Sequence, residues 1–219
     1  MKRFLFLACD STLCAIEGVD ELAALLDSET QKKVISLTND AMDGKLPIED
    51  VFASRLELIK PSRKMCEEVA QQYIAQISPG IEMALNELSS EGWTPQIISG
   101  GFTPVIEPVA EHLGIETIHA VDLFFDSQGN YVGFDKLAPT ARNGGKPEII
   151  EQLKKQENPE LTIMIGDGVS DLETSTVVDL FIGYGGVVSR DKVKNNAPVY
   201  LEDFANLTSI IKTHLSTQR

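Results

Sequence analysis

At 219 residues, with 42% apolar and 24% charged side chains, the chain can bury one substantial core and is too apolar for a disordered segment. Nineteen basic against 33 acidic residues leave a formal charge of −14, which argues against nucleic acid or an anionic membrane as the main partner. Cys9, Cys14 and Cys66 are odd in number and form no C-x-x-C pair, so neither a disulfide framework nor a thiolate zinc site is indicated, and a cytoplasmic location is expected.

Residues 3–9 read as a buried strand. Lys2-Arg3 before FLFLAC imitates an export signal, but the apolar run falls short of the ~7–15 residues such a signal needs, and nothing elsewhere reaches membrane-spanning length. Residues 16–76 carry helical periodicity and no convincing strand. Ile16, Val19, Leu22, Ala23 and Leu26 share one helix face. Asp43-Gly44 marks a turn, Pro47 suits the first turn of a helix running through Leu56 and Ile59, and Pro61-Ser62 starts another. From Pro79-Gly80 a strand and helix alternation sets in. Helices are expected over 81–91 and 103–113, each stopped by a glycine, with a strand over 94–98. Residues 118–134 read as a hairpin around Asp126–Asn130. A helix from Pro147, a strand over Leu161–Ile165, a helix after Ser170, short strands at Leu180–Ile182 and Val199–Leu201, and a helix over 203–215 complete the series. The expected fold is α/β: a parallel sheet covered by helices on both faces, with a small helical cap. The core spans 1–14 and 77–219, and the cap 15–76.

Ligands in open parallel sheets bind beyond the C-terminal strand ends, and three polar positions follow apolar strands. The first is Asp10, in Ala8-Cys9-Asp10-Ser11-Thr12, which alone is a helix cap or, in one register, a nucleophile with Thr12 as its partner. The second is Ser99-Gly100-Gly101, where a hydroxyl and close-approaching amides suit an anion. The third is Asp167-Gly168-Val169-Ser170-Asp171, two carboxylates on a strand-to-helix turn that suit magnesium, although Asp is also a common helix cap. Gly144-Gly145-Lys146 offers a cation to an otherwise acidic chain.

Taken together these parts resemble the phosphoserine phosphatases of the haloacid dehalogenase (HAD)-like hydrolase superfamily, over about residues 4–210. The resemblance extends through Glu17-Gly18-Val19-Asp20-Glu21-Leu22-Ala23, Ala41-Met42, Arg55-Leu56-x-Leu58-Ile59-x-Pro61-Ser62, Ile98–Phe102, Met164–Gly168 and Gly183-Tyr184-Gly185-Gly186. The segment Glu17–Glu21 fixes the register and places Ala8 where the family has its nucleophilic Asp. The resemblance implies a HAD-like Rossmannoid core and a metal-dependent hydrolysis of phosphoserine, the last step of serine synthesis, through an aspartyl-phosphate. It implies Asp10 as acid and base, and Ser99, Gly100 and Lys146 on the phosphoryl oxygens. Magnesium would be held by Asp167 and the main-chain carbonyl of Asp10, with Asp171 steadying its water shell. Glu17 would take the substrate ammonium, Arg55 its carboxylate, and Met42 and Ile48 would form an apolar lid. Ala8 touches only the covalent step and part of the metal shell. It fits either an introduced substitution in an enzyme or a natural loss in a protein kept for binding phospho-amino acids.

Overall fold

The computed structural model describes residues 2–217, less the side chains of Met42, Ser216 and Thr217. Strand β1 (Arg3–Leu7) lies between β2 (Trp93–Phe102) and β6 (Leu161–Gly166) in a six-stranded sheet of order β3-β2-β1-β6-β7-β8. The remaining strands are β3 (Thr117–Val121), β7 (Leu180–Tyr184) and β8 (Val199–Leu201), all paired in parallel.

Strand alternation splits the core in two. Leu5, Leu7, Ile97, Ile163, Ile165 and Ile182 face one apolar cluster, which takes in α5 (Ile81–Ser90), α6 (Thr103–His112) and α10 (Leu207–Thr217). Phe4, Phe6, Ala8, Ile98, Met164 and Phe181 face the other, closed by Ile149 and Ile150 of α7 (Gly145–Glu157) and Val193 of α9 (Asp191–Asn196). Burial on both faces explains why Phe4–Leu7 and Ile163–Ile165 read as apolar runs rather than as an alternation.

Between β1 and α5 lie four helices and no named strand: α1 (Gly18–Ala24), α2 (Ser28–Met42), α3 (Ile48–Ile59) and α4 (Arg63–Ala75). Their starts are chemically marked. Asp27 accepts from the amides of Glu29 and Thr30, Pro47 precedes α3, and the Ser62 hydroxyl accepts from the Met65 amide. Gly44, at φ +71°, makes the turn that a side chain would strain. This helical cap packs Val19, Ile48, Val51, Phe52 and Tyr73 into the same core cluster as the sheet. No helix among the described residues is long and apolar enough to cross a membrane.

Three expectations need correction. Residues 118–121 do not belong to a hairpin: they form β3, a sheet edge parallel to β2, and only β4 (Leu123–Phe125) and β5 (Tyr131–Phe134) pair antiparallel. Strand β2 continues past Ile98 through the Ser-Gly-Gly segment, with a shift of register before Phe102. Helix α9 was not anticipated, because Asp191–Asn196 buries a single apolar residue, Val193 and so carries no periodic pattern.

Candidate active site

Parallel register brings the polar residues together. Leu7 pairs with Ile97 on one side and Ile165 on the other, so the residues that follow all emerge at one sheet edge. The amide of Ala8 still donates to Ile165 O, at 2.9 Å. Beyond it the chain leaves the sheet through Ser11, held at φ +50°. That left-handed turn lets the Ser11 hydroxyl reach Glu17 Oε1 at 2.5 Å.

A cavity of about 50 Å³ sits at this edge. It is lined by Ala8, Asp10, Glu17, Ile48, Arg55, Ser99, Gly100, Lys146, Asp167 and Asp171 among others. Met42 was also expected there, and its side chain lies outside the described residues. The volume holds a few water molecules, and α3 supplies Ile48, Phe52 and Arg55 to the wall. Helix α3 thus covers the strand ends.

Asp10 is held from three directions. Its Oδ1 accepts from the Gly18 amide at 2.7 Å and from the Tyr73 hydroxyl, and its Oδ2 from Ser99 Oγ at 3.2 Å. Ser99 Oγ in turn accepts from the Gly101 amide at 2.9 Å. A Cβ on Gly101 would lie 2.7 Å from Asp10 Oδ2, so glycine is required for this approach. The lysine is buried, and its Nζ donates to Asp171 Oδ1 at 2.5 Å. Asp171 Oδ2 accepts from the Gly168 amide at 2.9 Å.

Lys146 owes its position to Gly145, whose Cβ, if present, would lie 1.7 Å from the carbonyl oxygen of Pro139. Backbone cannot yield as a side chain tip does. Gly145→Ala is expected to cost about 2 kcal/mol or more, a fall in Tm of roughly 4–8 °C in a thermal scan. An unchanged Tm would show that the Pro139–Gly145 contact carries no packing load.

Toward the cap, Arg55 is 5% exposed and donates from Nη1 to Thr38 Oγ1 at 3.2 Å, while Thr38 donates to Asp20 Oδ1 at 2.8 Å. Its Nε has no hydrogen-bond partner. Burial pushes the Arg55 guanidinium down, and Glu17, Asp20 and Asp10 pull it back up. Burial first, then the charges of Asp10 and Asp167, raise Glu17 well above the usual carboxylate range. Arg55 thus keeps one buried donor that an anionic group could satisfy.

Two contributors escaped the sequence reading. Tyr73 stands on the apolar stripe Cys66, Val69, Ala70, Tyr73 of α4 and reads as core; the signal was its hydroxyl, which needs a partner when buried. Arg190 lies in the loop before α9, with no motif around it. Its Nε donates to Asp167 Oδ2 at 3.2 Å, while Nη1 pairs with Asp43 Oδ1 at 3.3 Å and Nη2 with Glu17 Oε1 at 3.9 Å. Burial alone would lower Arg190, but Asp167, Glu17 and Asp43 outweigh it and keep the guanidinium above its ordinary value. Burial and then the charge of Asp171 lift Asp167 to about 6, against the pull of Arg190.

The donors present do not fit a magnesium ion. Position 8 offers a methyl group, and Asp167 Oδ1 accepts from Thr12 Oγ1 at 3.0 Å while its Oδ2 faces Arg190. Both Asp171 oxygens are also engaged, and no group of three or more His, Cys, Asp or Glu among the described residues is placed to hold a metal ion.

Known proteins resemble this chain in sequence and fold. The haloacid dehalogenase-like hydrolase family matches residues 16–175, a stretch that begins after Ala8. Phosphoserine phosphatase from Mus musculus is 40% identical over 200 residues, covering 90% of this chain and 88% of its own. The Homo sapiens phosphoserine phosphatase is 39% identical with the same coverage. A phosphoserine phosphohydrolase-like protein from Francisella tularensis superposes with a TM-score of 0.88 at 26% identity, over 96% of this chain and all of its own. The family match and the sequence identity agree with the fold: the chain belongs to the phosphoserine phosphatase family of the HAD-like hydrolases.

Proposed function

We propose that this chain recognises phosphoserine in a phosphatase active site whose covalent step is disabled at position 8. The observation that carries the reading is the methyl group of Ala8, 3% exposed, on the wall of a cavity shared with Asp10, Ser99, Lys146 and Arg55. The reaction for which such a site is laid out is hydrolysis of O-phosphoserine to serine and phosphate. Ser99 Oγ, the Gly100 amide and Lys146 Nζ face the phosphoryl oxygens. Arg55 takes the carboxylate and Glu17 the ammonium, with Ile48 and Phe52 excluding water. Asp10, through Oδ2, is the group that gives a proton to the departing serine oxygen and takes one from water. With no carboxylate at position 8, no phosphoryl group is captured, and turnover by this chain is very slow.

The same methyl group favours a second reading, a binding or regulatory protein for phospho-amino acids. It removes the one group that forms a covalent bond and leaves the binding groups in place. It also removes a negative charge from beside the phosphate, which relieves repulsion. The three buried free thiols support a reducing, cytoplasmic setting. Calorimetric titration tests both readings. Phosphoserine is expected to bind with a micromolar to millimolar Kd, and serine without its phosphate to bind undetectably. Absence of phosphoserine binding would remove the recognition claim from both.

A further inference from the structure

We infer that the phosphoryl pocket of this chain works without a divalent cation, with the Arg190 guanidinium standing where the ion's charge would be needed. The inference rests on the proposal that the cavity takes phosphoserine.

The argument is one of charge and donors. A hard cation is held by oxygen ligands that have lone pairs to spare. Here the carboxylate expected at position 8 is absent, and every carboxylate oxygen of Asp10, Asp167 and Asp171 already accepts a hydrogen bond from the protein. Asp167 is engaged by Thr12 and Arg190, Asp171 by Lys146 and Gly168, and Asp10 by Gly18, Tyr73 and Ser99. Losing one negative charge at position 8 leaves Asp10, Asp167 and Asp171 as the carboxylates at the phosphoryl end. Arg190 neutralises Asp167 and Lys146 neutralises Asp171, and Asp10 is the group that carries the transferred proton. A divalent ion added to that balance would have to displace a guanidinium whose side chain is 4% exposed, and which also pairs with Asp43 and Glu17. Arg190 does not line the cavity; Asp167 does. Arg190 is thus a positioning residue, cancelling the charge of Asp167 so that a phosphate can approach.

The test is calorimetry on the folded chain, with phosphoserine titrated once in EDTA and once in millimolar magnesium. The Kd values should agree within about twofold, and magnesium alone should give a flat isotherm in this chain but not in Ala8→Asp, where the ligand set is completed. Phosphoserine binding that tightens more than about tenfold in magnesium, or magnesium bound as tightly as by Ala8→Asp, overturns the inference and leaves the phosphoserine reading intact. No phosphoserine binding in either buffer sinks that reading, and this inference with it. Arg190→Gln, checked for folding by circular dichroism, should weaken binding in EDTA by about tenfold or more and make it respond to magnesium. Arg190→Lys keeps the charge but loses the fork that reaches Asp167, Asp43 and Glu17 together, and its affinity in EDTA should fall between those of the parent and Arg190→Gln. Full EDTA-insensitive affinity in Arg190→Gln would show that another group supplies the charge, and would overturn the assignment of Arg190.

Discussion

Ala8→Asp is expected to raise phosphoserine turnover in the presence of magnesium by at least ~10³-fold, the equivalent of about 4 kcal/mol of barrier. The backbone at position 8 is already fixed by the hydrogen bond its amide donates to the Ile165 carbonyl oxygen, so the new carboxylate extends from a residue that already lines the cavity. Covalent capture then splits the reaction into two easier steps, with Asp10 serving as acid in the first and base in the second. The same carboxylate returns a ligand for the metal, so this variant should lose its rate in EDTA although the parent's binding does not. Ala8→Asn is the control for shape without nucleophilicity, and should remain slow. Steady-state assays of the three proteins decide the matter. Equal rates for parent and Ala8→Asp would end the assignment of position 8, and robust turnover by both would move the nucleophile to Asp10.

The second large effect concerns what the site reads besides phosphate. In the Ala8→Asp background, Arg55→Ala should cut kcat/KM for phosphoserine by ~10²-fold, or about 2.7 kcal/mol, and scarcely change it for phosphoethanolamine, which has no carboxylate. The reason lies in burial. Arg55 is enclosed, anchored by Thr38 on one nitrogen and unpartnered at Nε, so a substrate carboxylate meets a donor that water does not already satisfy. Glu17→Ala should weaken both substrates, because both carry the ammonium. A solvated surface pair would give under ~1 kcal/mol instead. If Arg55→Ala lowers both activities by one factor, Arg55 is not reading the carboxylate.

Much of this was legible in the sequence because parallel strands announce themselves. FLFL is apolar at every position and TIMI at all but Thr162, and each delivers a polar residue just past its end. Arg55 and Glu17 could be named only through family likeness, since a charged residue on a helix carries no sign that it turns inward. What stayed hidden was non-local. Residues 117–121 pair with a strand upstream rather than with the next run, and partner choice leaves no trace in a half-buried edge. Ser-Gly-Gly reads as a turn, yet it is the irregular tail of β2. Arg190 is a single cation between two elements, and only the folded chain shows that Asp167, Glu17 and Asp43 surround it.

The place of β1 in the sheet bears on how the protein is made. Phe4–Leu7 has apolar side chains on both faces and hydrogen-bonds on both edges, to β2 and to β6. Those partners are not contiguous in the chain: one edge is closed by Trp93–Ile97 and the other only by Leu161–Ile165. At ordinary rates of synthesis, the wait between emergence of β1 and arrival of β6 is on the order of ten seconds. Throughout that wait the nascent chain carries a sticky strand with an open edge, the kind of segment that recruits identical copies. Expression yield should therefore depend on translation speed and on chaperone supply more than on the stability of the finished fold, and a charge placed within Phe4–Leu7 to relieve the hazard would land in the centre of the core.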